Sequence, residues 1–128
     1  MPSQVTYSPE DELIFITYTG KTTFDELRLA TQQAKQYVSW YDCYSVLVDV
    51  RSTDPAVPPL NIYDMPKLYE SLGVPRNILI AMVGPKAEPG YNDFLFYETV
   101  CRNRGFTVQL FEDMESAKAW LKDQDLAT

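Results

Sequence analysis

Few residues in this chain are equipped for chemistry, and their spacing excludes most reactions. The 128 residues include no histidine. That removes Ser-His-Asp and Cys-His catalysis and every imidazole metal ligand. The two cysteines, Cys43 and Cys101, stand far apart and match no metal-ligand spacing. Each sits beside apolar residues, as a buried reduced thiol does. Asp49 closes an apolar run, where a phosphoacceptor carboxylate could stand. That chemistry also needs an acidic pair to hold Mg²⁺, because hard cations require carboxylate oxygens. The preceding run ends Thr17-Tyr18-Thr19-Gly20 without an acid, and no lysine ends residues 77–83. Asp49 therefore reads as a structural group at the mouth of a loop. Gly84-Pro85-Lys86-Ala87-Glu88-Pro89-Gly90 has the outline of a phosphate loop. It lacks the Gly-Lys-Ser/Thr ending and gives two positions to proline, which has no N–H to offer phosphate. The carboxylates form no paired motif, and no base is poised near neutral pH. The expectation is a non-enzymatic protein with no cofactor and no metal.

Charge narrows the partners. Eleven Lys and Arg against eighteen Asp and Glu leave a net charge of −7. A phosphate backbone would be repelled, so nucleic acid is not an expected partner. The length suits one domain, residues 1–128, and aromatics at 13% supply a core. The N-terminus has neither a basic region nor an apolar run, and no stretch approaches the ~20 residues of a membrane span. A cytoplasmic protein with no transmembrane segment is expected.

The elements that position these groups follow from periodicity. Residues 4–7 read as a short strand and 13–19 as a β-branched and aromatic second strand, antiparallel to the first. Thr23-Phe24-Asp25-Glu26 is a capping box, followed by a helix whose apolar stripe is Phe24, Leu27, Ala34, Val38 and Tyr41. Residues 44–50 and 77–83 are strands apolar on both faces. Between them, residues 51–59 carry three prolines and are expected to be irregular. A short helix then runs to Leu72, with Asp64 as its cap and Pro66 in its first turn. Residues 91–104 are a helix, 107–111 an alternating strand, and a last helix starting near Asp113 buries Met114, Ala117, Trp120 and Leu121. The order β-β-α-β-α-β-α-β-α is an α/β class with a mostly parallel sheet, right-handed crossovers and helices packed against it.

In such a sheet, ligands meet the loops beyond the carboxyl ends of the strands. That rim spans residues 20–23, 51–64 and 84–91. It supplies the candidate binding residues Arg51, Ser52, Thr53, Val57, Lys86 and Tyr91. Phe96 joins them because the helix from Tyr91 is apolar around nearly its whole circumference, and one buried stripe cannot use every ring. Arg102 and Arg104, at the helix's far end, complement its macrodipole.

The element order and several phrases resemble the SpoIIAA-like family, relatives of STAS domains. The matching pieces are Tyr18-Thr19-Gly20-Lys21-Thr22-Thr23-Phe24-Asp25-Glu26, Val46-Leu47-Val48-Asp49-Val50, Ile80-Ala81-Met82-Val83-Gly84 and Asn103-Arg104-Gly105-Phe106. The run from Val108 to Leu121 is similar as well. In the anti-sigma-factor antagonists of that group, a serine opening the helix after the third strand is phosphorylated. The matching stretch here, Asn61-Ile62-Tyr63-Asp64-Met65-Pro66, has no serine, so the resemblance does not carry the phospho-switch. It implies a scaffold used for protein contacts or for apolar ligands. With the rim and the aromatic helix, the expected function is a regulatory or binding module that contacts a protein or a small apolar ligand through them, and the surplus apolar side chains of the helix from Tyr91 predict a homodimer. The alternative is a lipid or hydrophobic-ligand carrier similar to CRAL-TRIO domains, which requires a cavity.

Overall fold

The computed structural model describes residues 3–21, 23–53, 64–84 and 91–126. Strands β1 (Ser3–Ser8) and β2 (Leu13–Gly20) form an antiparallel pair. Then come helix α1 (Phe24–Tyr41), β3 (Ser45–Thr53), α2 (Met65–Ser71), β4 (Leu79–Val83), α3 (Tyr91–Asn103), β5 (Thr107–Phe111) and α4 (Met114–Leu126). The strands lie in the sheet in chain order, β1-β2-β3-β4-β5, and every pair after the first is parallel. Each crossover steps one strand in the same direction. With right-handed connections, α1, α2 and α3 must then share one face of the sheet. Only α4, which follows the last strand, is available for the other face.

The side chains sort accordingly. Ile14, Ile16, Val46, Val48, Ile80, Met82 and Val108 point toward α1, α2 and α3, with Ala30, Ala34, Val38, Leu68, Tyr69, Tyr97 and Cys101 packed on them. Leu13, Leu47, Ala81 and Val83 point the other way, onto Ala117 and Leu121 of α4. Alternation along each strand thus fills two layers, as the doubly apolar β3 and β4 require.

Local signals set most boundaries. Thr23 accepts the Glu26 N–H at 3.2 Å and opens α1 as a cap. Gly105 holds φ at 88°, a left-handed conformation that ends α3 and returns the chain to β5. Asp113 accepts the Ser116 N–H at 2.7 Å ahead of α4.

Several expectations need correction. The Glu26 half of the capping box is not made: the buried Glu26 Oε2 has no hydrogen-bond partner among the described residues, and only the Thr23 cap remains. Strand β3 does not stop at Val50. It carries one extra residue between Asp49 and Ser52, opposite the step from Thr17 to Thr19 of β2; beyond it Thr19 pairs with Ser52 and Gly20 with Thr53, so Arg51, Ser52 and Thr53 are strand. The prolines that forbid pairing begin four residues later, at Pro55. Strand β4 starts at Leu79, because Ile78 N–H closes a turn on Pro75 C=O. Asp64 occupies the cap position of α2 but gives no side-chain hydrogen bond. Trp120 and Tyr41 are not core residues: Trp120 is half-buried against Phe111, and Tyr41 is 48% exposed beside β1. Met114 is likewise half-buried.

Candidate functional site

The carboxyl ends of β2, β3 and β4 meet the first turns of α1 and α3 at one rim. Arg51, Ser52 and Thr53 are the last three residues of β3, and Arg51 and Ser52 are exposed. Tyr91 is the first residue of α3. Val57 and Lys86 lie outside the described residues.

Asp49 and Arg51 stand two apart at the irregular end of β3. The Arg51 guanidinium donates from Nε to Asp49 Oδ1 at 3.0 Å and from Nη2 to Oδ2 at 2.9 Å, while the Arg51 N–H also reaches Oδ1 at 3.0 Å. These bonds, the side-chain pair first, hold the Asp49 carboxyl below its ordinary range against the opposing effect of partial burial. A carboxylate so occupied is a clamp on the strand end. Its nucleophilic oxygens are both taken, in keeping with the structural role read for it.

Gly84 ends β4 where backbone must pass closely. A Cβ there would stand 3.2 Å from Leu110 Cδ1 and 3.3 Å from Val50 Cγ2, with Phe94 just beyond. Glycine therefore lets the first turns of α3 sit down on the sheet. The Gly84 N–H donates to Phe111 C=O at 3.1 Å and ties the rim to β5.

Tyr91 and Phe96 do not meet. Tyr91 lies with Leu95, Glu98 and Arg102 along one flank of α3 and lines an open groove of about 330 Å³ whose other wall is Gln109, Leu110, Phe111 and Glu112. Phe96, 37% exposed, projects from a different flank, five residues before the buried Cys101. The α3 helix thus presents two separate surfaces.

The groove wall has a second task. β5 is the sheet's edge, and its outward backbone groups belong to Val108 and Leu110. Glu98 Oε2 accepts the Leu110 N–H at 2.7 Å, and Arg102 Nε donates to Val108 C=O at 2.8 Å. Glu98 and Arg102, four apart on α3, close that stretch of the edge against another strand. Sequence reasoning had assigned Arg102 to the macrodipole. Its i, i+4 spacing from Glu98 was the available signal. At the opposite end of the sheet from the rim, Arg104 and Arg76 both bind Glu70, at 3.2 and 2.7 Å.

Between the sheet and the three helices lies a buried polar cluster. The Tyr69 and Tyr97 hydroxyls bond to each other, with Tyr18 and Cys101 buried in the same core cluster. Burial pushes the Tyr69, Tyr97 and Tyr18 hydroxyls well up and the Cys101 thiol to about 12. All four are therefore protonated at neutral pH. Among the described residues no group of three Cys, Asp or Glu could hold a metal, and no helix is long and apolar enough to cross a membrane.

No known family's sequence model matches the chain, and no curated protein is similar in sequence. Similar solved structures exist. An anti-sigma factor antagonist from Mycobacterium paratuberculosis superposes with a TM-score of 0.61 at 13% identity, over 94% of this chain and 93% of its own. An uncharacterized protein with a SpoIIAA-like fold from Shewanella loihica gives 0.60 at 16% identity, over 93% of this chain and 91% of its own.

Proposed function

We propose that this chain, which has a SpoIIAA-like fold, is a non-enzymatic, cytoplasmic regulatory module that binds a protein through the rim around Arg51, Ser52, Thr53 and Tyr91 and self-associates through Phe96. The observation that carries the protein reading is the close packing of the described interior residues. Tyr18, Tyr69, Tyr97, Cys101 and Phe106 occupy the layer between sheet and helices, where a lipid carrier of this architecture would hold its ligand. The groove beside Tyr91 is open to solvent and has both Glu98 and Arg102 in its wall, a poor container for an apolar chain. A protein partner needs no cavity, only a shaped surface with a few fixed polar groups. The clamped Arg51, whose side chain is half exposed, is such a group. Likeness of fold to an anti-sigma factor antagonist supports a regulatory role.

Native mass spectrometry of the purified chain tests this reading. The expected species have the mass of the bare chain, 14.7 kDa, or of its dimer. A stoichiometric small-molecule adduct released by organic solvent would replace the protein reading with the carrier.

A further inference from the structure

At the end of the sheet away from the rim, the fold leaves an ordered set of rings in solvent. Helix α1 runs back over β1 and β2, so its last turn lies beside the β1–β2 turn. Tyr7 and Tyr41 stack there with centroids 4.0 Å apart and planes 6° from parallel. Tyr37 and Tyr41 meet nearly perpendicular at 5.8 Å, and Tyr37 lies tilted against Trp40 at 5.6 Å. Tyr7 and Tyr37 are half-buried and join the rings to the core. Trp40 is 63% exposed. A tryptophan with two-thirds of its surface in water contributes little to folding, while tryptophan and tyrosine are the residues that dominate protein interfaces.

Negative charges predominate around the rings. Asp42 follows Tyr41 directly. The Cys43 thiol donates to Glu12 C=O at 3.3 Å, which places Glu12 beside the same turn, and Glu10 lies two residues before it. Asp11 is paired with Lys118 at 3.3 Å. Among the described residues no ion pair engages Glu10, Glu12 or Asp42. Ring faces are themselves electron-rich, so rings and carboxylates favour the same kind of visitor: a flat, weakly hydrated cation. A guanidinium fits that description better than an ammonium. A second copy of this chain, at a net charge of −7, is electrostatically the wrong partner.

The geometry points to this face as a docking site for an arginine-bearing segment of a partner protein, with guanidinium groups over Trp40 and Tyr41 and with Glu12 and Asp42 as counter-charges. It is independent of the rim reading, since it lies at the other end of the sheet and uses none of the same residues.

The test titrates the full chain into a dye-labelled hexapeptide alternating Arg and Gly, followed by anisotropy at low salt. Saturable binding is expected, about tenfold weaker for Trp40→Ala and severalfold weaker for Glu12→Asn with Asp42→Asn. Asparagine is chosen because Glu12 and Asp42 hold φ at 54° and 49°, a left-handed backbone that it tolerates. The two kinds of variant act on separate residues, so misfolding of one leaves the other as a test, and circular dichroism identifies it. Failure of the wild type to saturate would overturn the proposal. So would equal affinity of wild type and a folded Trp40→Ala, which would reduce binding to diffuse charge attraction, or equal binding of a Glu-Gly peptide. Sedimentation in which Trp40→Ala abolishes self-association would assign the face to a second copy instead.

Discussion

The buried hydroxyls of Tyr69 and Tyr97 depend on each other. Each is nearly inaccessible, and each would be left without this partner if the other were truncated. Tyr97→Phe is expected to cost about 1–3 kcal/mol, the penalty of a buried unpaired hydroxyl. Tyr69→Phe should cost a similar amount, because it leaves the Tyr97 hydroxyl without the same partner. The double variant should be more stable than the sum of the two singles, as a urea-melt cycle would read directly. Additive effects would mean that the hydroxyls act separately. The same cluster sets an alkaline limit. Its folded acids hold their protons above the ordinary thiol and phenol values of 9 and 10, so the native state binds more protons than the unfolded chain there. Stability is then full below those values and falls as pH rises through them. Thermal melts should show a declining Tm at alkaline pH, with tyrosine absorbance changing cooperatively at unfolding. None of this was legible in the sequence, where Tyr18, Tyr69 and Tyr97 lie on three different elements. Periodicity reports that a residue faces inward, not which residue of another helix it meets.

Elements were more legible than the surfaces between them. The Thr23 cap and the glycine at 105 are local chemistry, and α1 and the end of α3 fall where that chemistry puts them. The end of β3 is not legible locally because it depends on β2: after one extra β3 residue between Asp49 and Ser52, Thr19 and Gly20 resume pairing with Ser52 and Thr53. Tyr41 was misread for a similar reason. It continues the apolar stripe of α1, but the helix has by then run past the sheet edge, and the stripe meets the Tyr7 ring in place of a core. Trp120 shares a face with Ala117 and Leu121 yet stays half-buried, since α4 is the lone described helix on its side of the sheet. The β5 edge gives a prediction at this scale. Glu98→Ala removes the acceptor of the Leu110 N–H, and amide exchange at Leu110 is expected to accelerate about tenfold or more, as loss of a charge-assisted bond implies. Unchanged exchange there would show that Glu98 does not protect the edge.

For the whole molecule, charge and apolar surface pull in opposite directions. The net charge of −7 disfavours contact between copies, but salt reduces that repulsion to a range of about 8 Å. Phe96 remains 37% exposed and lies one helical turn from the half-buried Val100, so α3 offers a short apolar strip on the flank away from the groove. In a two-fold dimer the strip meets itself, and each such contact counts twice. Fully burying a phenylalanine contributes roughly 1.5–3 kcal/mol, and a ring already largely covered contributes a fraction of that. Two rings and two valines therefore support a weak dimer, one that strengthens as salt screens the acidic surfaces. Sedimentation of the wild type should show association increasing with both protein and salt concentration. Phe96→Glu should abolish it without changing Tm by more than a few degrees, because the residue is not part of the core. A wild type that stays monomeric at high concentration in high salt would end the proposal. A dimer indifferent to Phe96→Glu would place the interface elsewhere, and the rings around Trp40 are then the surface to test.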